Sequence, residues 1–168
     1  MGTVVEVVRI TEEHIDSYRQ AVDSVMKERR FLAAFEAPPI DSAREFVRGN
    51  IRDNAPHYVA LEGERVVGWC DISLNRKPVF AHSGNLGIGI IRGYRGKGIG
   101  SQLMERAVAH AKEIGLERIE LDVYESNRAA LSLYRKFGFK EEGKRIRAAK
   151  IDGRHENLIP MGLLIGEA

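Results

Sequence analysis

A chain of 168 residues, 43% of them hydrophobic, is sized for one domain around one core. Charged residues make up 30% and nearly cancel, to a net charge of +2, which gives a well-solvated surface and excludes a bulk nucleic-acid footprint. The single cysteine, Cys70, excludes an internal disulfide and a cysteine metal cluster, and the five histidines show no metal-ligand spacing, so no metal is expected.

Met1 to Ile10 lacks the long apolar stretch of a signal peptide, and no later run approaches the ~18 residues of a membrane span. A single domain over residues 1–168, in a reducing cytoplasm and away from membranes, is the expectation. Val4 to Ile10 is rich in β-branched residues and reads as the first strand. Thr11 caps a helix from Glu12, with Ile15, Tyr18, Val22, Val25 and Met26 at helical spacing. Phe31 to Pro39 is an apolar connection, and Asp41 or Ser42 starts a short helix containing Phe46, Val47 and Ile51.

His57 to Leu61 and Val66 to Leu74 form a hairpin about Glu62-Gly63-Glu64-Arg65. Cys70 falls in the second of these strands, where a buried structural thiol is expected. Leu86 to Ile91 is a further strand. From Ile99 the period changes: Ile99, Leu103, Ala107, Ala111 and Ile114 mark one helical face, closed by Gly115. Arg118 to Tyr124 is a strand with Glu120, Asp122 and Tyr124 on one side. Asn127 caps a helix through Phe137, closed by Gly138, and strands near Glu142 to Lys150 and Glu156 to Leu164 meet at Asp152-Gly153, a strong hairpin turn. Neither strict βαβ alternation nor separated runs describe this succession, so the class is α+β with a mixed sheet.

Chemistry concentrates in Arg92-Gly93-Tyr94-Arg95-Gly96-Lys97-Gly98-Ile99-Gly100, between a strand and a helix. Glycines allow positive φ and close approach of the backbone to a ligand. Successive amides can then converge on an oxyanion at the positive end of the helix dipole, and Arg92, Arg95 and Lys97 add formal charge. The pattern is that of a pyrophosphate site. A P-loop would place Lys and Ser/Thr after its last glycine, whereas Ile99 follows Gly98, and the Gly96-x-Gly98-x-Gly100 spacing is not the dinucleotide fingerprint.

Arg95-x-x-Gly98-x-Gly100 resembles the acetyl-coenzyme A signature of the GNAT superfamily of N-acetyltransferases. Asn127, Leu133-Tyr134 and Gly138-Phe139 are similar to that family's second block, and the order of elements fits along essentially the whole chain. The resemblance implies a mostly antiparallel, mixed sheet of about seven strands with about four helices, splayed between strands 4 and 5. It implies acetyl-CoA as co-substrate, bound by Gly89, Ile90, Ile91, Arg92, Arg95, Gly96, Lys97, Gly98, Ile99, Gly100 and Ser101, with Asn127 and Tyr134. The pantetheine arm would pair with free backbone groups of Gly89 to Ile91 as an added strand does. Asn127 would bond the pantetheine and cap its helix; Arg135 and Lys136 would lie near the adenosine, or on a solvated face.

Acetyl transfer to an amine needs a neutral amine, a stabilised oxyanion and a proton for the leaving thiolate. Tyr134 matches the family tyrosine at the sulfur and would donate that proton, or else is a core aromatic packing beside Phe137, while a backbone amide near Ile90 would polarise the carbonyl. Many relatives carry a glutamate ten residues before the position of Arg95; here that residue is Asn85, which accepts no proton. Other relatives use a glutamate five residues before the block's asparagine, where this chain has Asp122. Asp122 is therefore the expected base, or else a structural or substrate-binding carboxylate; Asp71 and His82 are weaker candidates. Cys70 shows no sign of activation as an acyl carrier.

The segment Phe31 to Pro39 walls an acceptor pocket, with Glu36 attracting a cationic amine, or packs in the core or a homodimer interface. The final hairpin, from Gly143-Lys144 to Met161-Gly162-Leu163-Leu164, resembles that of ribosomal-protein, diamine and antibiotic acetyltransferase-like members. The partners implied are acetyl-CoA and a primary amine, either a small molecule or a protein or peptide N-terminus. The alternative is a non-catalytic acyl-CoA binding or sensing module, which Asn85 keeps open.

Overall fold

Residues 4–166 are described by a computed structural model. In chain order they form β1 (Val5–Arg9), a 3-10 turn (Glu12–His14), α1 (Ile15–Met26), α2 (Ile40–Arg52), β2 (His57–Glu62), β3 (Arg65–Leu74), a second 3-10 turn (Pro78–Phe80), β4 (Ser83–Ile90), α3 (Ile99–Glu113), β5 (Arg118–Tyr124), α4 (Arg128–Lys136), β6 (Lys140–Glu141), β7 (Arg145–Ile151) and β8 (Arg154–Leu164). The strands make one sheet in the order β1-β2-β3-β4-β5-β8-β6, with β7 also paired to β8. Every pairing is antiparallel except β4 with β5. The α+β class and the four α-helices are as expected; the strand beyond the expected seven is the two-residue β6.

Strand alternation sorts the helices onto two faces. Gly68 lies against Leu103 of α3, whereas its neighbour Trp69 meets Tyr18 of α1 edge to face, with ring centroids 6.2 Å apart. The same alternation sends Cys70 and Ile72 toward α3 and Asp71 toward α1. Ile72, Ile119, Leu103 and Met104 are fully buried between the sheet and α3, each contributing about 1.5–3 kcal/mol of apolar burial. On the other face Tyr18 and Phe46 of α2 both pack on His57, at 4.9 and 5.7 Å between centroids.

Three of the boundaries that differ from the sequence expectation do so for identifiable reasons. The helix expected from Glu12 begins as a 3-10 turn and becomes α-helical at Ile15. The strand expected from Leu86 starts at Ser83 because Gly84 passes close to β3: a Cβ there would stand 2.6 Å from Ile72 Cγ2. Glycine is a poor strand former by itself, so the segment does not read as a strand locally. The second helix begins at Ile40, after Pro39, which presets the entry. The β7–β8 turn is as expected: Asp152 and Gly153 both take positive φ, 49° and 81°.

No helix among the described residues is long and apolar enough to cross a membrane.

Candidate active site

β4 and β5 pair only at Ser83–Arg118, Gly84–Ile119 and Asn85–Glu120, and then diverge. β5 continues against β8 as far as Tyr124–Leu158, and β4 continues against β3 as far as Ile90–Gly68, so a wedge opens between two strands that each remain held on their far side. This is the splay expected between strands 4 and 5.

The backbone at the edge of the splay is partly committed. Ile91 N–H donates to Val67 O on β3 at 3.0 Å. By alternation the polar groups of Ile90 face the opposite edge, into the splay. The Ile90 carbonyl accepts from Arg95 Nε at 2.8 Å. Of the expected segment Gly89 to Ile91, the N–H of Ile90 is thus the group aimed at the wedge. Gly89 serves a different need: a Cβ there would stand 2.3 Å from the Trp69 ring, which lies over it.

After β4 the chain turns through Gly93, Gly96 and Gly98, with φ of 93°, 73° and 80°. A Cβ on any of the three would meet nothing within 4 Å, so glycine is required by the backbone conformation, and the turn stays open to a ligand. Gly98 caps α3 in the left-handed conformation. The amides of Ile99, Gly100 and Ser101 precede Gln102, the first intrahelical donor, and are free at the positive helix end. Gly100 answers a packing need, since a Cβ there would press Leu133 of α4 at 3.2 Å.

The three basic residues of the turn are not equivalent. Arg92 is exposed and Lys97 lies 5.4 Å over the Tyr94 ring. Arg95 is engaged at several points: it donates to Ile90 O, forms a two-point pair with Glu28 (Nη1 to Oε1, 2.9 Å, and Nη2 to Oε2), and stacks 4.9 Å over Phe31. Arg92 also reaches Glu28 at 3.2 Å. Both arginines hold the Glu28 carboxyl below its ordinary range, against the opposing effect of burial. Lys136 donates to Ser101 Oγ at 3.2 Å and so lies beside the turn, while Arg135 pairs with Glu141 at 2.6 Å.

Asn127 caps α4, its Oδ1 accepting from Ala130 N at 3.2 Å. That bond leaves the side-chain NH2 group for a ligand. Tyr134, about two turns further along α4, is 7% exposed and packs at 5.8 Å on Phe139, where the sequence suggested Phe137. Burial, then the neighbouring Cys70, push its phenol above the ordinary range, so it stays protonated. Cys70 itself is fully buried and its thiol is pushed up by burial, as expected of a structural cysteine.

On the opposite face, loop 27–39 lies over the end of the splay. Tyr124 OH donates to Leu32 O at 3.4 Å, and Arg29 donates to both carboxylate oxygens of Asp152 at 2.7 to 3.1 Å, tying the loop to the β7–β8 turn. Arg29 also stacks 3.6 Å over Phe35. Asp122 shares this face with Glu120 and Tyr124, as predicted; its carboxylate is half exposed and lies 3.4 Å from Arg145. Asn85 and Glu36 are exposed. His82 is exposed and serves by its carbonyl, which accepts from Glu117 N and Arg118 N.

Asp71, in contrast, is buried, with burial raising its carboxyl to about 7 against a hydrogen bond from Ser73 Oγ at 3.3 Å. Around it stand His57, Tyr18 and Asn50, with Asn50 Nδ2 3.1 Å from His57 Nδ1. Asp71 is one of the weaker base candidates named from the sequence, but nothing local signals its neighbours His57 and Asn50, or Glu28, because these pairings span 7 to 67 residues of the chain.

An open glycine turn at a helix end, a splay with an inward N–H, and a free asparagine amide fit an elongated ligand with a pyrophosphate at one end and an amide-bearing arm at the other. The acetyltransferase (GNAT) family model matches residues 10–139. The chain is 38% identical over 99 residues to the N-alpha-acetyltransferase RimI of Mycobacterium tuberculosis, covering 58% of this chain and 60% of that protein. It is 30% identical over 93 residues to the L-amino acid N-acetyltransferase AaaT of Escherichia coli, covering 55% and 57% respectively. A GNAT-family acetyltransferase structure from Streptococcus pneumoniae superposes with a TM-score of 0.90, at 26% identity, over 97% of this chain and 100% of that one. The chain belongs to the acetyltransferase (GNAT) family and is an acetyl-CoA-dependent N-acetyltransferase.

Proposed function

We propose that the acceptor is a small primary amine of amino-acid type, acetylated by direct attack on the bound thioester. The observation that carries this reading is the Arg29–Asp152 clamp. It joins the two walls of the acceptor side, loop 27–39 and the β7–β8 turn, across the path that an extended peptide would follow. A small amine needs only a brief opening of that rim. The names of the two relatives span both acceptor sizes, an L-amino acid for AaaT and an N-alpha amine for RimI; the closed rim favours the former.

In this reading acetyl-CoA lies along the splay, with its pyrophosphate on the free amides of Ile99 to Ser101 and its pantetheine arm against Asn127. Ile90 N–H donates to the thioester carbonyl as negative charge develops there. Tyr134 donates a hydrogen bond to the sulfur as the C–S bond breaks. Asp122 and Arg145 form an ion pair on the acceptor wall, suited to hold the charged ends of an amino acid.

The test is thiol release from acetyl-CoA with a panel of amino acids, diamines, aminoglycosides and peptides bearing free N-termini. Turnover on amino acids at least tenfold faster than on peptides is expected. Preference for peptides would end the small-amine reading.

A further inference from the structure

Asn85 leaves the motif strand without a carboxylate, yet one stands a strand away on the same face. Asp71 of β3 pairs across the sheet with Gly87 of β4, next to the Ser73–Asn85 pair. Gly87 has no side chain, and Asp71 Oδ1 lies 3.3 Å from the place its Cβ would occupy. The carboxylate therefore lies over β4 just past Asn85–Glu120, the last pair before the splay opens. It faces the α1 side, where loop 27–39 and Tyr124 border the acceptor approach, while Tyr134 packs on the α3 side. We propose that Asp71 accepts the proton lost by the acceptor amine, taking over the work of the carboxylate missing at position 85.

The surroundings suit that task. No ion pair to Asp71 is found among the described residues, so no cation holds the carboxylate ionised. From β2 it faces His57, its cross-strand partner, which burial keeps neutral by lowering its pKa to about 3. From α1 it faces the Tyr18 phenol, raised by burial and then by the charge of Asp71 itself. From α2 comes the neutral Asn50, bonded to His57, and from β3 the hydroxyl of Ser73. With its carboxyl raised by burial to about 7, Asp71 is matched to proton transfer near neutral pH.

Protons and bonds balance as follows. The acceptor ammonium gives one proton to Asp71, which later releases it to solvent. The freed amine lone pair forms the C–N bond, and collapse of the adduct breaks C–S. The second proton leaving nitrogen ends on the sulfur, giving amide and free thiol.

Asp71 is assigned on acetyl transfer itself, within the proposed direct attack, and is tested with whichever amine the panel identifies. A peptide acceptor would overturn the small-amine reading and leave the Asp71 measurement in place. Steady-state rates from pH 5.5 to 9 are compared for wild type, Asp71→Asn, Asp71→Asn/Asn85→Glu and Ser73→Ala. Asp71→Asn is expected to lower the rate about 100-fold and to remove the acid limb near pH 7, with acetyl-CoA affinity retained. Adding Asn85→Glu to Asp71→Asn is expected to recover at least tenfold. Ser73→Ala removes the hydrogen bond that favours the ionised carboxylate, so its acid limb shifts to higher pH; it reports even if Asp71→Asn folds poorly. An acid limb unmoved in Ser73→Ala, or a folded Asp71→Asn with wild-type rate and profile, overturns the proposal.

Discussion

Glu28, just beyond the end of α1, grips the guanidinium of Arg95 at two points across 67 residues of sequence. The signature arginine of the glycine turn is thereby joined to loop 27–39 at the end of the splay. Charge that would attract a pyrophosphate is partly spent on a carboxylate of the same chain. Glu28→Gln is therefore expected to tighten acetyl-CoA binding several-fold, measured by calorimetry at low salt. The same change removes charge-assisted bonds and lowers Tm by about 2–4 °C. Weaker binding would show that Glu28 orients Arg95 for the ligand instead of competing with it.

Tyr134→Phe deletes one hydroxyl and keeps the packing on Phe139. Turnover is expected to fall about 10- to 100-fold, with acetyl-CoA affinity and Tm within error of wild type. A rate equal to wild type would remove the phenol from the reaction.

Gly98→Ala places a side chain at φ 80°, where open space removes any clash and leaves the conformational cost alone. That cost is about 1–2 kcal/mol. The turn relieves it by shifting away from the geometry that presents the amides of Ile99 to Ser101. Loss of acetyl-CoA affinity larger than the loss of stability is expected, with calorimetry and denaturant unfolding as the paired measurements.

Asp71 and His57 have opposite effects on stability with pH. The Asp71 carboxyl is raised from 3.8 to about 7, so its contribution to stability is full below 3.8 and is lost as pH rises through 7. His57 is lowered from 6.5 to about 3, so its contribution is present above 6.5 and is lost as pH falls toward 3. The two slopes cancel between about pH 4 and 6.5. Asp71→Asn is expected to be more stable than wild type at pH 8, by on the order of 2–4 kcal/mol, and to lose stability steadily below pH 6.5. Urea unfolding at four pH values gives the curve; a parallel offset at all pH values would refute the cancellation.

Asp152→Asn opens the rim without touching the reaction centre. Tm should barely change, because the pair is exposed. Under the small-amine reading, KM for the small acceptor rises and turnover of larger amines improves.

Much of the site was legible because its chemistry is local. The glycine turn, the cap at Asn127 and Tyr134 each lie within one strand–turn–helix or one helix, and backbone conformation there depends on nearby residues. Loop 27–39 was ambiguous, since an apolar loop can line a pocket or fill a core; Phe31, Leu32 and Ala37 pack on the core, while Tyr124 and Asp152 tie the loop to β5 and the β7–β8 turn. The base was the least legible part. Asp122 and Asp71 look alike in sequence, each in a strand, and differ in burial: one is half exposed beside Arg145, the other enclosed without a cation.

The sequence by itself determined the family, the fold class and the glycine turn between β4 and α3, because alternation, helical period and glycine spacing are properties of short segments. The tertiary structure alone decided which charges meet. It set Glu28 on Arg95, Arg29 on Asp152 and Asp71 over the bare backbone of Gly87, because strand register and loop docking bring together residues that no local pattern connects.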